Sequence, residues 1–201
     1  MNNKNRANIE QYFEKVRSSI ALIESTQVEA AATLLLEAYD SGRSIFIFGN
    51  GGSAANASHF CGDMLKGASF GRKKGFRFFC LADNTTAVMA IANDLSYEDI
   101  FVAQLQYLIR PGDLVMGISG SGNSPNVLKA LQYAKENGGR TIGLCGFDGG
   151  KLKAIVDTCI HVPVKDMEVT EDAHMAVLHC LKRTIMQELD VREGKTRGAS
   201  C

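Results

Sequence analysis

The chain has 201 residues, 45% of them hydrophobic, enough to bury the core of one domain. Its 22 basic residues are balanced by 22 acidic ones, so net charge gives no general attraction to nucleic acid or to an anionic membrane. Neither a signal peptide nor a transmembrane run is legible, and the six cysteines are scattered without metal-type spacing, so the expectation is a cytoplasmic protein with reduced thiols.

In chain order, residues 8–24 and 27–41 read as helices. Ile9, Phe13, Val16 and Ile20 recur at helical spacing in the first, and Ala31, Leu34, Leu35 and Ala38 in the second, with Gly42 as the stop. Leading helices with one apolar side suit packing against another subunit, so a homo-oligomer is expected. From residue 44 onward strand-like and helix-like segments alternate. Strands are expected at 44–49, 76–82, 113–118, 140–146 and 158–163, and helices near 53–65, 84–93, 97–109, 124–137, 150–155 and 170–190. Most of the strands are near-continuous apolar runs, as strands covered on both faces are. The fold class is therefore α/β: a three-layer α/β/α sandwich around a five-stranded parallel sheet, preceded by helices. Residues 1–42 are the leading helices, 43–190 the main domain, and 191–201 a polar tail expected to fray. Cys80, Cys145 and Cys159 sit in strand-like runs and read as small core residues. The stretch 67–74, with Lys66 before it, reads as a basic loop that is either solvated or reaches a phosphate or a partner.

Two turns carry the chemistry. Gly49-Asn50-Gly51-Gly52-Ser53 follows the run Ser44–Phe48 and opens a helix, a strand–turn–helix arrangement that points backbone N–H groups and a helix dipole at an anion. The second, Ser119-Gly120-Ser121-Gly122-Asn123-Ser124, follows another apolar run. Ser124 can cap the next helix, with Pro125 at its first position, but capping does not account for three hydroxyls interleaved with glycine. Short donors with little bulk suit a phosphate. His59 and Asp63, four apart on the helix after the first turn, share a face and can share a metal or a proton-transfer task, or be a surface pair. The run Glu171–His179 opens the last helix. Its acidic residues complement the helix dipole, and His179 stands among apolar neighbours either as a core histidine or as a functional one. His161 reads as structural.

Together these segments resemble the phosphoheptose isomerases, sugar isomerase (SIS) domain proteins that convert sedoheptulose 7-phosphate to D-glycero-D-manno-heptose 7-phosphate. The resemblance rests on Gly49–Ala55 with His59, Ala92-Asn93-Asp94, Gly117–Ser124 and Glu171–His179, and spans nearly the whole chain. It implies a cytoplasmic homotetramer with active sites between subunits, and zinc in many members. It implies sugar contacts at Asn50, Gly51, Gly52, Asn93 and Asp94, with Glu171 also beside the substrate. A phosphate loop falls at Ser119, Gly120, Ser121 and Ser124, with Ser53 close by. Metal ligands fall at His59, Asp63, Glu171 and His179, and the acid/base pair at Asp63 and His179. Where the family usually has glutamate, glutamine and threonine, this chain has Asp63, Glu171 and Gly120. Val169 stands where an arginine is usual, and Lys66-Gly67 where an arginine–aromatic pair is common. The resemblance also admits a non-catalytic SIS adaptor of the kind that associates with a replication initiator, or an isomerase of another sugar phosphate.

Overall fold

Five short apolar runs become five parallel strands, because their side chains alternate between two helical layers that both exclude water. In the computed structural model, which describes residues 3–195, helices α1 (Asn3–Ala21) and α2 (Ser25–Ser41) lead into β1 (Ser44–Gly49). Then come α3 (Gly51–Gly62), β2 (Arg77–Cys80), α4 (Thr85–Asp94), α5 (Val102–Leu108), β3 (Leu114–Ser119) and α6 (Pro125–Glu136). The chain continues through β4 (Arg140–Cys145), α7 (Leu152–Ile155), β5 (Thr158–His161) and α8 (Met167–Arg192). All pairings are parallel and the strand order is β2-β1-β3-β4-β5. On one face Ile45, Ile47, Met116, Ile118, Ile142 and Leu144 meet α2, α3 and α8. On the other, Phe46, Phe48, Val115 and Cys145 meet α5, α6 and α7.

This order places the site. From β1 the chain winds outward to β2, and from β3 it winds the other way to β4. The carboxyl ends of β1 and β3 are neighbours, with Gly49 in register with Ile118. A crevice opens at such a switch point, and α3 and α6 start there from opposite layers.

Several expected boundaries shift for local reasons. The helix expected at 53–65 begins at Gly51 and, after Gly62, widens into a π-helical turn, Asp63–Ala68. The helix expected at 97–109 is a 3₁₀ turn, Tyr97–Asp99, followed by α5. The last helix starts at Met167, capped by the Asp166 side chain on the Val169 N–H. Glu171 and Asp172 are thus beyond its first turn. The same helix runs to Arg192, which pairs with Glu188 and Asp40, so the expected fraying does not begin at Val191. Residues 196–201, the rest of the expected tail, lie outside the described residues. Cys145 is buried as expected, but Cys80 and Cys159 are only half-buried, and the Cys145 and Cys159 sulfurs lie 3.4 Å apart as free thiols. The basic loop is not simply solvated. The Arg72 side chain is wholly buried, bonded to Asp190, Glu193 and the carbonyls of Ala68 and Met186, and Lys74 donates to the Asp40 carbonyl.

Candidate active site

Three side chains converge above α3 and α8. His59, near the end of α3, and Asp63, in the π turn one helical turn later, face His179 on α8. The His59 and His179 Nε2 atoms are 2.9 Å apart, and Asp63 Oδ2 lies 3.6 and 3.8 Å from them. His179 is half-exposed and not in the core, which decides between its two sequence readings. Asp63 Oδ2 is buried and accepts no hydrogen bond, a costly state for a carboxylate oxygen without a ligand in front of it. All three donor atoms lie within 4.8 Å of one another, close enough to share one cation. Two imidazole nitrogens and one carboxylate oxygen are the donor set of a catalytic zinc-type site, so the residues fit a divalent ion.

Glu171, the fourth expected ligand, is not among these converging donors. Its carboxylate lies against Gly52 at the start of α3, where any Cβ would overlap it, and its carbonyl accepts from Asn56 at 2.9 Å. Burial first, then Glu168 and Asp172, push its pKa up. It stands where α3 points its dipole, beside the glycine turn.

The serine loop closes the other side of the crevice. Ser124 occupies the N-cap position of α6 but makes no capping bond; its Oγ is 3.0 Å from Ser119 Oγ. The hydroxyl expected to cap is thus paired with Ser119 across the loop, where an anion can accept from both. Ser121 folds back on the Asn123 N–H. Gly120 is buried against Met167, whose sulfur fills the space a side chain there would need. Ser53 is buried in the first turn of α3. Asn93 donates to Asp94 at the exposed end of α4, and the 3₁₀ turn beyond it returns to the crevice, where Tyr97 donates to Asn50 Oδ1. His161 is structural as expected: its Nε2 lies 3.1 Å from the Phe147 carbonyl, and its backbone N–H donates to Gln27.

The SIS domain family model matches residues 11–146. The phosphoheptose isomerase of Trichlorobacter lovleyi is 40% identical over 182 residues, 88% of this chain and 92% of its own length. That of Geotalea daltonii is 42% identical over 168 residues, 84% and 87% of the two chains. Among solved structures, the phosphoheptose isomerase of Neisseria gonorrhoeae aligns with a TM-score of 0.82 at 30% identity, covering 92% of this chain and 98% of its own. The chain belongs to the phosphoheptose isomerase family. Its fold is the SIS fold, also shared with a Francisella tularensis phosphoheptose isomerase at a TM-score of 0.84 and 24% identity.

Three residues of the site carry little or no signal in the sequence. Asn126 is buried in α6 and exchanges two amide hydrogen bonds with Asn50, at 3.0 and 2.8 Å, so the side chain expected to meet a sugar is held from behind. Tyr97 completes that pair. Lys182 donates to Asp63 Oδ1 at 2.7 Å. Only Lys182 leaves a trace, standing three residues after His179 and hence on the same helical face.

Proposed function

We propose that this protein is an aldose–ketose isomerase that converts sedoheptulose 7-phosphate to D-glycero-D-manno-heptose 7-phosphate. The observation that carries the reading is the buried Asp63 Oδ2, without a hydrogen bond, facing two imidazoles between α3 and α8. The named relatives support the substrate. The phosphate docks on Ser119, Gly120, Ser121 and Ser124, with Ser53 nearby, and the open-chain sugar extends past Asn50, Gly51, Gly52, Asn93, Asp94 and Glu171. Asp63 removes a proton from the carbon beside the carbonyl. His179 passes a proton between the two neighbouring oxygens, and the ene-diol is reprotonated on the adjacent carbon. Each well-placed acid or base contributes on the order of a hundredfold or more.

His59, Asp63 and His179 would hold a divalent ion, which we take to be Zn²⁺, with Glu171 as the further ligand that the family resemblance implies. A bound ion would polarise the substrate oxygens. We further assign residues 1–42 to packing in a homotetramer. Ile9, Phe13 and Ile20 are exposed on α1, and Ile20, Ile23, Val28, Leu36 and Val177 line an open groove. No single described helix is long and apolar enough to cross a membrane. We assign the enzyme to the cytoplasm, supplying heptose to lipopolysaccharide, capsule or another glycan. The adaptor reading is not favoured, because both proton-transfer groups are present.

The test is purified protein mixed with sedoheptulose 7-phosphate, followed by aldose formation, with Asp63→Ala and His179→Ala beside it. Both variants should lose at least a hundredfold in turnover; full activity in both would remove the assignment.

A further inference from the structure

Lys182 has no part in the mechanism above, yet its ammonium is one of the closest charged neighbours of the reacting groups. It lies on α8 one turn beyond His179, its side chain only 25% exposed, and donates to Asp63 Oδ1 at 2.7 Å. The π turn makes room for it: a Cβ on Gly67 would stand 2.6 Å from Lys182 Cε, so glycine there leaves the stem its present path. The pair divides the carboxylate. Oδ1 belongs to Lys182, and Oδ2, buried and without a hydrogen bond, is left to face His59 and His179.

We propose that Lys182 is a positioning residue that commits Asp63 to act through Oδ2 alone. An aspartate is short and has two torsions, so its working oxygen is fixed only if the other oxygen is tied. Lys182 supplies the tie with a charge-assisted bond, the strong kind. It also sets a positive charge beside a carboxylate that would hold a cation. These two effects have opposite signs. Without Lys182 the carboxylate can turn both oxygens to a cation that no longer meets a like charge, so cation affinity rises. The same freedom removes the aligned base, so turnover falls. A merely structural lysine would lower both together.

The kinetic arm of this proposal rests on the isomerase reading; the cation arm does not. The full chain, stripped with chelator, is titrated with Co²⁺ as wild type, Lys182→Met and Lys182→Arg. Affinity and the visible cobalt band are recorded, then steady-state kinetics with sedoheptulose 7-phosphate. Losing a partner of a metal's own ligands commonly costs about 10–100-fold in affinity or activity, so a gain in affinity sets Lys182 apart. Lys182→Met should bind Co²⁺ about tenfold more tightly, with a weaker band as the coordination number rises. Its kcat should fall about tenfold with KM within about twofold. Lys182→Arg, which keeps the charge and the donor, should stay near wild type in all of these. Lys182→Gln, with the same loss of charge, serves if the methionine variant does not fold. Unchanged or weaker Co²⁺ binding by the neutral variant overturns the proposal, as does an unchanged kcat or no Co²⁺ binding by the wild type. If the wild type binds Co²⁺ but turns nothing over, the isomerase reading fails and the affinities alone decide Lys182.

Discussion

His174 makes the stability of this protein depend on pH in a way its surface charges would not. It points from α8 into the interior and is fully buried, and neither ring nitrogen has a hydrogen-bond partner. Burial pushes its pKa down from 6.5 to about 4; the nearby Cys145 backbone opposes this and His161 adds to it. The folded-state pKa is below the unfolded one, so between these values the unfolded chain binds a proton that the folded chain does not. Stability therefore falls as pH drops through 6.5 and keeps falling until about 4. Between pH 7 and pH 4.5 this one group costs about 2 kcal/mol. For a chain of this size that is a fall in Tm of roughly 4–8 °C. The assay is thermal unfolding of wild type and His174→Leu at both pH values and one protein concentration. Replacing an unpaired buried polar ring by an apolar side chain of similar size is near neutral or stabilising at pH 7. At pH 4.5 the variant should be the more stable by several degrees. Parallel pH dependence in the two proteins would refute the reasoning, because every other titrating group is common to both.

Three further outcomes depend on single contacts. Arg72→Met removes a wholly buried guanidinium from Asp190 and Glu193 and should cost about 3 kcal/mol, read from the denaturant midpoint; an unmoved midpoint contradicts it. Gly122→Ala forces a side chain at φ 66° into the Gly149 carbonyl, so the serine loop must shift. KM for the sugar phosphate should rise several-fold while kcat changes less; an unchanged KM would separate the loop from the phosphate. Ser119→Ala removes one of the two facing hydroxyls, with its Oγ 3.0 Å from that of Ser124. Hydrogen bonds to charged groups contribute about 1.5–3 kcal/mol, so phosphate affinity measured by calorimetry should fall roughly tenfold or more. Equal affinity would exclude this serine as a phosphate donor.

The sheet was legible because its information is local. Ser44–Phe48 and Asp113–Ile118 announce strands by composition, and the glycine and serine turns announce the helices α3 and α6. His59 and Asp63 were legible as a pair because helical spacing fixes their common face, although the helix turns π-helical between them and the end of the turn. Long-range contacts could not be read. Lys182 and Asp63 are 119 residues apart, and Asn50 and Asn126 are 76 apart; only the packing of α8 on α3 and of β3 on β1 joins them. Ser124 shows a subtler limit. It stands at the N-cap as its spacing implies, but its hydroxyl turns to Ser119, because that choice is made by the neighbouring strand end and not by the helix. Arg72 reads as loop charge for the same reason: its partners lie on the far end of α8.

Proton transfer through an ene-diol is most directly tested by isomerising sedoheptulose 7-phosphate in D₂O and locating deuterium in the product by NMR. Removal of the carbon-bound proton by Asp63, with exchange before it is returned, predicts deuterium on the carbon next to the new aldehyde and no detectable exchange with Asp63→Asn. Aldose carrying only protium at that carbon, as a direct hydride shift would give, would contradict the account.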